Sequence, residues 1–508
     1  MGEVDVFLWS FSPVSLLVAP VFLLLISLYF SSSFSSQKPR PGPPGPRPLP
    51  LLGNLLQLDF KRPDKTFVEL SKKYGSVFTF YMGLKKAVVL TGYQTVKEAL
   101  VNYADEFGER DVPAVAKEAN LNHGIVWSNG DSWKEMRRFA LTNLKDFGMG
   151  KKACEDKIIE ESQSLVQEFK KFKGEAFSTD RIITCAVSNI ICSVIYGSRF
   201  EYEDPAFQTI TNRTSIAVKF SASPKIQFYN LYPGIGKLFI SARKKMSDIY
   251  AANKKDHLKL LNNLKETLNP QMCRGVADVF MVRQQQVQES GISNSNYTDE
   301  NLLATVMNLF AAGTETTTTT LRWSLLYMTK YPKIQAKVQE ELNTVVGSRQ
   351  VQVQDKQNLP FTNAVIHETQ RLANIVPLAL AHRTSQDVTF QGHFIEKGTI
   401  VFPVLTTVLH DESEWEKPYD FHPAHFLDKD GNFTKRDAFL PFSAGRRMCP
   451  GESLAKMELF IFFTTFLQHF RFTPPPGVSE EDLDLTPLPG GTGTLRPQPH
   501  KLCAVSLM

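Results

Sequence analysis

The chain has 508 residues, a formal net charge of +5, 42% apolar residues and 37 phenylalanines. That composition supplies ample core, and so small a charge, with no dense Lys/Arg tract, argues against a nucleic-acid partner. The six cysteines (Cys154, Cys185, Cys192, Cys273, Cys449, Cys503) are scattered without a CxxC pair. This spacing excludes a secreted disulfide framework and suits a reducing compartment.

From Val6 to Phe30 the sequence is apolar and uncharged, roughly 25 residues and enough to cross a bilayer with some tilt. Trp9 and Tyr29 stand near its ends, where interfacial aromatics belong. Glu3 and Asp5 precede the run and Lys38, Arg40 and Arg47 follow it. The acids and the length favour a retained anchor over a cleaved leader, and the following cations place the body in the cytosol. The prolines between Lys38 and Pro50 forbid helix and strand and predict a stiff extended spacer. Residues 1–36 thus read as a signal anchor, 37–50 as a Pro-rich hinge and 51–508 as one large domain without an internal linker.

Within that domain, Ser76–Phe80 and Ala87–Leu90 are strand-like on either side of a turn at Met82-Gly83. Apolar spacing predicts helices over Thr66–Tyr74, Tyr93–Tyr103, Ser132–Asp146, Glu155–Phe172 and Ile182–Tyr196. Between Asn212 and Tyr250 the signals are mixed and give no division. The longest helical pattern is Asp299–Lys330, with Thr298 as N-cap, two acids in its first turn and Tyr331-Pro332 as its stop. A helix so long is expected to pass through the centre of the fold. Thr362–Ala373 and Pro450–Phe470 complete the set, and no internal repeat is evident.

The last helix follows Phe442-Ser-Ala-Gly-Arg-Arg-Met-Cys-Pro-Gly451. A lone cysteine among cations at a helix start is expected to favour the thiolate. With no second cysteine nearby it cannot build a zinc or iron–sulfur site, whereas it can be the single axial ligand of a haem iron. In the central helix, Ala311-Ala312-Gly313-Thr314-Glu315-Thr316 offers small residues for close approach of a flat ligand, with an acid beside a hydroxyl for proton transfer. Trp133 and Arg137 are one helical turn apart, as are Glu368 and Arg371.

Phe442, Gly445, Arg447, Cys449 and Gly451 resemble the haem-binding signature of the cytochrome P450 superfamily, Phe-x-x-Gly-x-Arg-x-Cys-x-Gly, without departure. The AGTETT style and the Pro-Pro-Gly-Pro hinge resemble its microsomal family-two members. The resemblance implies a mainly α fold with small β-sheets (α+β), a single large domain behind a transmembrane helix, binding haem b through Cys449. It implies that Arg447, Arg110, Trp133, Arg137 and His382 contact the haem propionates, and that Glu315 and Thr316 deliver protons to the dioxygen site. Glu368 and Arg371 would form a buried structural triad with a third residue, usually arginine, whose place is taken here by His425. The chamber would be lined by Val112–Gly124, the region Phe207–Phe220, Met307–Thr316, Val376–Leu380 and Gly490–Thr494, mostly apolar or small.

Such an enzyme would hydroxylate lipophilic molecules (xenobiotics, fatty acids or steroids) with dioxygen. Electrons would come from NADPH through NADPH–cytochrome P450 reductase, with cytochrome b5 as a further donor, at the endoplasmic reticulum membrane. Lys134, Arg137, Arg138, Lys145, Lys435, Arg436 and Arg446 would then face the acidic donor. The absence of a G-x-G-x-x-G pattern agrees with a separate NADPH-binding partner. Two rivals remain at this stage, a haem-thiolate isomerase or dehydratase and a membrane-tethered haem sensor.

Overall fold

The structure is a computed structural model describing residue 21 and residues 42–147, 152–239, 241–292, 294–488, 490–491 and 493–507. Apart from Val21, the apolar run Val6–Phe30 lies outside the described residues. Among those described, no helix is long and apolar enough to cross a membrane.

The first part of the chain builds the larger sheet and its cover: α1 (Pro63–Tyr74), β1 (Val77–Met82), β2 (Lys85–Leu90), α2 (Tyr93–Lys97), β3 (Glu109–Arg110) and α3 (Ala114–Glu118). β1 and β2 form a hairpin in which Met82 faces Lys85, so the turn is the two residues Gly83-Leu84, with Gly83 at φ +63. The helix expected over Tyr93–Tyr103 is divided, because Glu98–Asn102 relaxes into a π-helical turn. The described end of the Pro-rich segment lies against β1: Thr79 donates from its N–H to Pro44 O (2.7 Å) and from Oγ1 to Pro43 O (3.0 Å).

Helices follow: α4 (Gly130–Phe147), α5 (Lys152–Lys170), then β4 (Ala176–Phe177) and α6 (Asp180–Ile195). The stretch that resisted division resolves into α7 (Pro205–Ser221), α8 (Pro224–Leu231), α9 (Pro233–Phe239) and α10 (Ser241–Glu266). Three of these begin on proline, which has no N–H to lose in a first turn, and Asp204 caps α7 by accepting from the N–H groups of Ala206 and Phe207. α11 (Val276–Glu289) leads to α12 (Asp299–Lys330), α13 (Pro332–Val345) and α14 (Pro360–Ala373). Then come β5 (His382–Arg383), β6 (Val388–Phe390), β7 (His393–Ile395), β8 (Ile400–Pro403), α15 (Thr406–Leu409), α16 (Glu452–His469), β9 (Phe470–Thr473) and β10 (Leu502–Ser506).

The larger sheet has the order β1-β2-β8-β5-β3, a second is β4-β10-β9, and β6-β7 pair alone. The fold is therefore mainly α with small sheets. Its largest apolar cluster joins α4–α7, α12–α14 and α16. α12 runs its full 32 residues with the Thr298 hydroxyl accepting from Asn301 N–H. From Thr317 to Thr329 it is buried on every side, the mark of a helix crossing the core. Between Asn308 and Thr316 that enclosure breaks: Asn308, Leu309 and Thr316 are half-buried and Ala312 is exposed. An exposed alanine midway along a central helix marks an internal opening.

Candidate active site

Cys449 ends a loop that the rest of the fold shapes tightly. Gly445, at φ +71, opens a 3-10 turn through Arg447, and a Cβ there would sit 1.7 Å from Leu100 O, in the π-turn after α2. Only glycine fits that contact. Gly451 is different: a Cβ would come only within 3.9 Å of Cys449 Sγ. Gly451 is the N-cap of α16, so Pro450 lies just outside the helix rather than in its first turn. Cys449 N–H donates to Phe442 O at 3.0 Å, closing the loop on itself.

Position at a helix start does not by itself make this sulfur a thiolate. Burial pushes the Cys449 thiol up from its usual value and Glu452 adds to it, while the Gly451 N–H and Arg137 pull the other way. A bound cation would reverse that balance, since a coordinating thiol loses its proton outright. All six cysteines are free, and among the described residues no group of three His, Cys, Asp or Glu could hold a metal. Cys449 offers one soft ligand, as a haem iron requires.

Around this loop lies a set of buried polar nitrogens without partners. β3 and β5 pair antiparallel with Arg110 opposite His382, so sheet register brings together two residues far apart in sequence. Arg110 Nη1 donates to Leu380 O (2.7 Å) and His382 Nδ1 bonds Phe107 O (2.7 Å). Arg447 donates from Nε to Gly108 O (2.8 Å) and from Nη2 to Ser128 O (2.9 Å) and Asn129 Oδ1 (2.8 Å). Its guanidinium lies 3.6 Å above the ring of Trp133. Yet Arg110 Nε, Trp133 Nε1, His382 Nε2 and Arg447 Nη1 have no partner, although these residues are only 2–7% exposed.

Electrostatics make the same point. Burial, with Arg110, Arg137 and Arg446 close by, pushes Arg447 down to about 8, and burial with Arg137 pushes Arg110 down to about 9. A guanidinium keeps its proton in proteins, so these depressions express first the burial of the two cations and then their crowding, which the one acid felt here, Glu109, does not offset. His382 is pushed well down by burial and Arg110. Neutral, with Nδ1 donating to Phe107 O, it leaves Nε2 a bare acceptor that becomes a donor only when a neighbouring carboxylate draws a second proton onto the ring. Buried polar groups are ordinarily satisfied; four orphans beside a lone cysteine fit a ligand with carboxylates, such as the propionates of haem. Arg137 stands apart, donating from Nη2 to Met448 O (2.7 Å) at the cysteine loop.

The open side of α12 carries Ala312 and, one turn on, Thr316, whose hydroxyl donates to Ala312 O at 2.8 Å. The helix remains continuous here, and Gly313 serves packing, since a Cβ would meet Ile191 Cδ1 of α6 at 2.4 Å. Glu315 is not joined to Thr316. Its carboxylate pairs with Arg496 Nη1 (3.1 Å) and accepts from Ser215 Oγ (3.2 Å). Asn308 and Asn301 of α12 cap the loop before α4, Asn308 Oδ1 accepting from Ile125 and Val126 N–H and Asn301 Oδ1 from Gly124 N–H. These two asparagines were missed in the sequence, where nothing in a helical pattern marks them.

Glu368, Arg371 and His425 do come together. Arg371 Nε and Nη2 grip the carboxylate (2.7 and 2.8 Å), and its remaining donors go to Leu409 O, Pro418 O and Asp420 O. His425 Nδ1 lies 3.2 Å from Glu368 Oε2, while Nε2 accepts from Lys417 N–H at 3.1 Å. Nε2 being an acceptor, the proton sits on Nδ1 and points at Glu368. A neutral imidazole therefore fills the third place without a second full cation. Of the expected partner-facing cations, Lys134 pairs with Asp131 (3.0 Å) and Arg446 with Asp105, while Arg138, Lys145, Lys435 and Arg436 are exposed.

Helices around a long central member, small sheets, and one cysteine facing orphaned cations define a haem-thiolate protein. The chain matches the family model for cytochrome P450 over residues 43–504. It is 58% identical over 506 residues to cytochrome P450 2K1 of Oncorhynchus mykiss, covering 100% of both chains. It is 51% identical to cytochrome P450 2K6 of Danio rerio (99% of each) and 44% identical to cytochrome P450 2F2 of Mus musculus (91% of this chain, 93% of that one). The chain belongs to the cytochrome P450 family: a monooxygenase that binds haem b, takes electrons from a redox partner and acts on lipophilic substrates.

Proposed function

We propose that this is a microsomal monooxygenase that hydroxylates lipophilic small molecules using electrons from NADPH. Those electrons arrive through NADPH–cytochrome P450 reductase, with cytochrome b5 as a further donor. The observation that carries the reading is the convergence of three unpartnered buried N–H donors, on Arg110, Trp133 and Arg447, and of the unpartnered His382 Nε2 on the loop that ends in Cys449. Cys449 would hold the iron. Arg110, Trp133, His382 and Arg447 would hold the carboxylates, and Phe442, Gly445 and Gly451 would shape the loop beneath, with Arg137 bracing it at Met448 O. When bound, haem supplies the reduction and cleavage of dioxygen, one atom of which enters a substrate C–H bond. The residues on α12 do the rest: Ala312 leaves room, and the Thr316 hydroxyl moves protons toward the reacting oxygen.

Division into an anchor (1–36), a hinge (37–50) and a catalytic domain (51–508), at the endoplasmic reticulum membrane with the domain in the cytosol, is part of the same proposal. An exposed apolar face supports membrane contact: Leu52, Leu56, Leu84, Phe228 and Ile235 are 41–74% exposed. The segments that carry these residues are joined, since Tyr232 Oη donates to Leu51 O (2.6 Å) and Lys85 Nζ to Asn230 O (3.2 Å).

The test is turnover of the lipid-reconstituted chain with reductase, NADPH and compounds that shift its haem spin state. Hydroxylated product formed in step with NADPH use is expected. Turnover without NADPH would favour the isomerase, and spectral change without product the sensor. Thr316→Ala should cut product roughly tenfold or more and release peroxide instead; an unchanged yield would remove the proton role.

A further inference from the structure

Glu315, the acid expected to work with Thr316, is held away from it. Thr316 bonds within its own helix, while Glu315 is clamped by two other parts of the fold: Ser215 of α7 and Arg496 of the C-terminal segment. Both members of the ion pair are nearly enclosed, with side chains 10% and 12% exposed. The backbone beside Arg496 is pinned: Leu495 N–H donates to Ile375 O (2.8 Å), Leu495 O accepts from Trp323 Nε1 (2.9 Å), and Arg496 O accepts from Leu488 N–H (2.7 Å). Arg322, the other guanidinium whose charge is felt here, pairs with Asp180 at 3.0 Å. Arg496 is thus the cation assigned to Glu315, and α7 belongs to the wall expected to meet substrate.

We infer that Arg496 is a positioning residue for Glu315, acting with Ser215 as a latch that keeps this acid from the Thr316 side of α12 while the ion pair holds. The inference deepens the monooxygenase reading and rests on it. A protonated Glu315, once released, gives its proton to the Thr316 hydroxyl as that hydroxyl passes its own onward, and the resulting carboxylate regains a proton from water. With the latch shut that path is open-circuited, so idle consumption of NADPH is held down. A charge-assisted hydrogen bond between enclosed partners is strong enough to set such a balance.

Substrate-free NADPH oxidation, measured with reductase in excess, tests this. Arg496→Met should raise the idle rate roughly tenfold, as peroxide or water, with the reduced carbon monoxide spectrum unchanged. Arg496→Lys, which keeps the cation, should stay near the unsubstituted rate, and Ser215→Ala should give a smaller rise. In a Glu315→Gln background the substitution of Arg496 should have no further effect. Amide hydrogen exchange should quicken in α7 and in residues 493–498 for Arg496→Met and Glu315→Gln alike, without addition in the double variant. An unchanged idle rate in Arg496→Met, or a rise that persists in Glu315→Gln, would overturn the latch. Failure of the monooxygenase reading would show differently, as the unsubstituted protein forming no product with any spin-shifting compound.

Discussion

Arg371 and Arg447 are both buried arginines close to the chemistry of this fold, yet the protein treats them differently. Arg371 finds an acceptor for every N–H it has, two on Glu368 and three on backbone carbonyls. Arg447 leaves Nη1 idle, faces three other arginines and stands beside idle donors on Arg110 and Trp133 and the unpartnered Nε2 of His382. A polar cluster complete within the polypeptide is architecture; one that is incomplete is waiting for something the polypeptide does not contain. The pair of arginines therefore separates structure from binding more sharply than burial or charge alone.

Three substitutions press on that contrast. Cys449→Ser should abolish the strongly red-shifted Soret band of the reduced carbon monoxide complex altogether, since no other residue offers the sulfur. Arg371→Met should destabilise the chain by about 3–5 kcal/mol with or without haem, because Glu368 would be left buried and unpaired. Arg447→Met should leave the haem-free chain as stable or more so, while haem transfer to an acceptor protein speeds up at least tenfold; equal destabilisation of both states would erase the distinction.

Glu458, in α16 and 1% exposed, is an orphan of another kind, and burial pushes its carboxyl up to about 8. An acid whose folded value is raised contributes stability below its unfolded value, which is lost as pH climbs through the folded one. Unfolding free energy should therefore fall by on the order of 3 kcal/mol between pH 5 and 7.5. Glu458→Gln should flatten that fall in denaturant titrations at several pH values. The smallest effect belongs to His425→Gln, which trades one weak contact of 3.2 Å and the acceptor for Lys417 N–H, and should cost about 1–2 kcal/mol in the same titration.

What could be read before the structure was local. The Cys449 loop, the long α12 with its Thr298 cap and the Glu368–Arg371 pair follow from short-range pattern. α12 keeps its expected bounds and cap and Arg371 grips Glu368, while Pro450 falls outside α16 and the Cys449 thiol is raised rather than lowered. The run of helices α7–α10 was legible too, through Pro205, Pro224 and Pro233 at first-turn positions, but mixed apolar spacing hid it. Helices α11 and α13 went unread. The π-turn that receives Gly445 depends on tertiary contact, because nothing near Leu100 signals that a glycine will press on its carbonyl. Arg110 and His382 become neighbours only by β3–β5 register, and Glu315 meets Arg496 only when the C-terminal segment folds back over α12. Long-range pairing of this sort leaves no periodic trace in sequence.

The central claim is that the idle donors of Arg110, Trp133 and Arg447, with His382 beside them, receive the carboxylates of haem. Titrating the haem-free chain with haem and with its dimethyl ester, in which those carboxylates are masked, tests it most directly. The account predicts that the ester binds at least tenfold more weakly to the unsubstituted chain, and that the gap narrows in Arg447→Met. Equal affinity for the two porphyrins would contradict it.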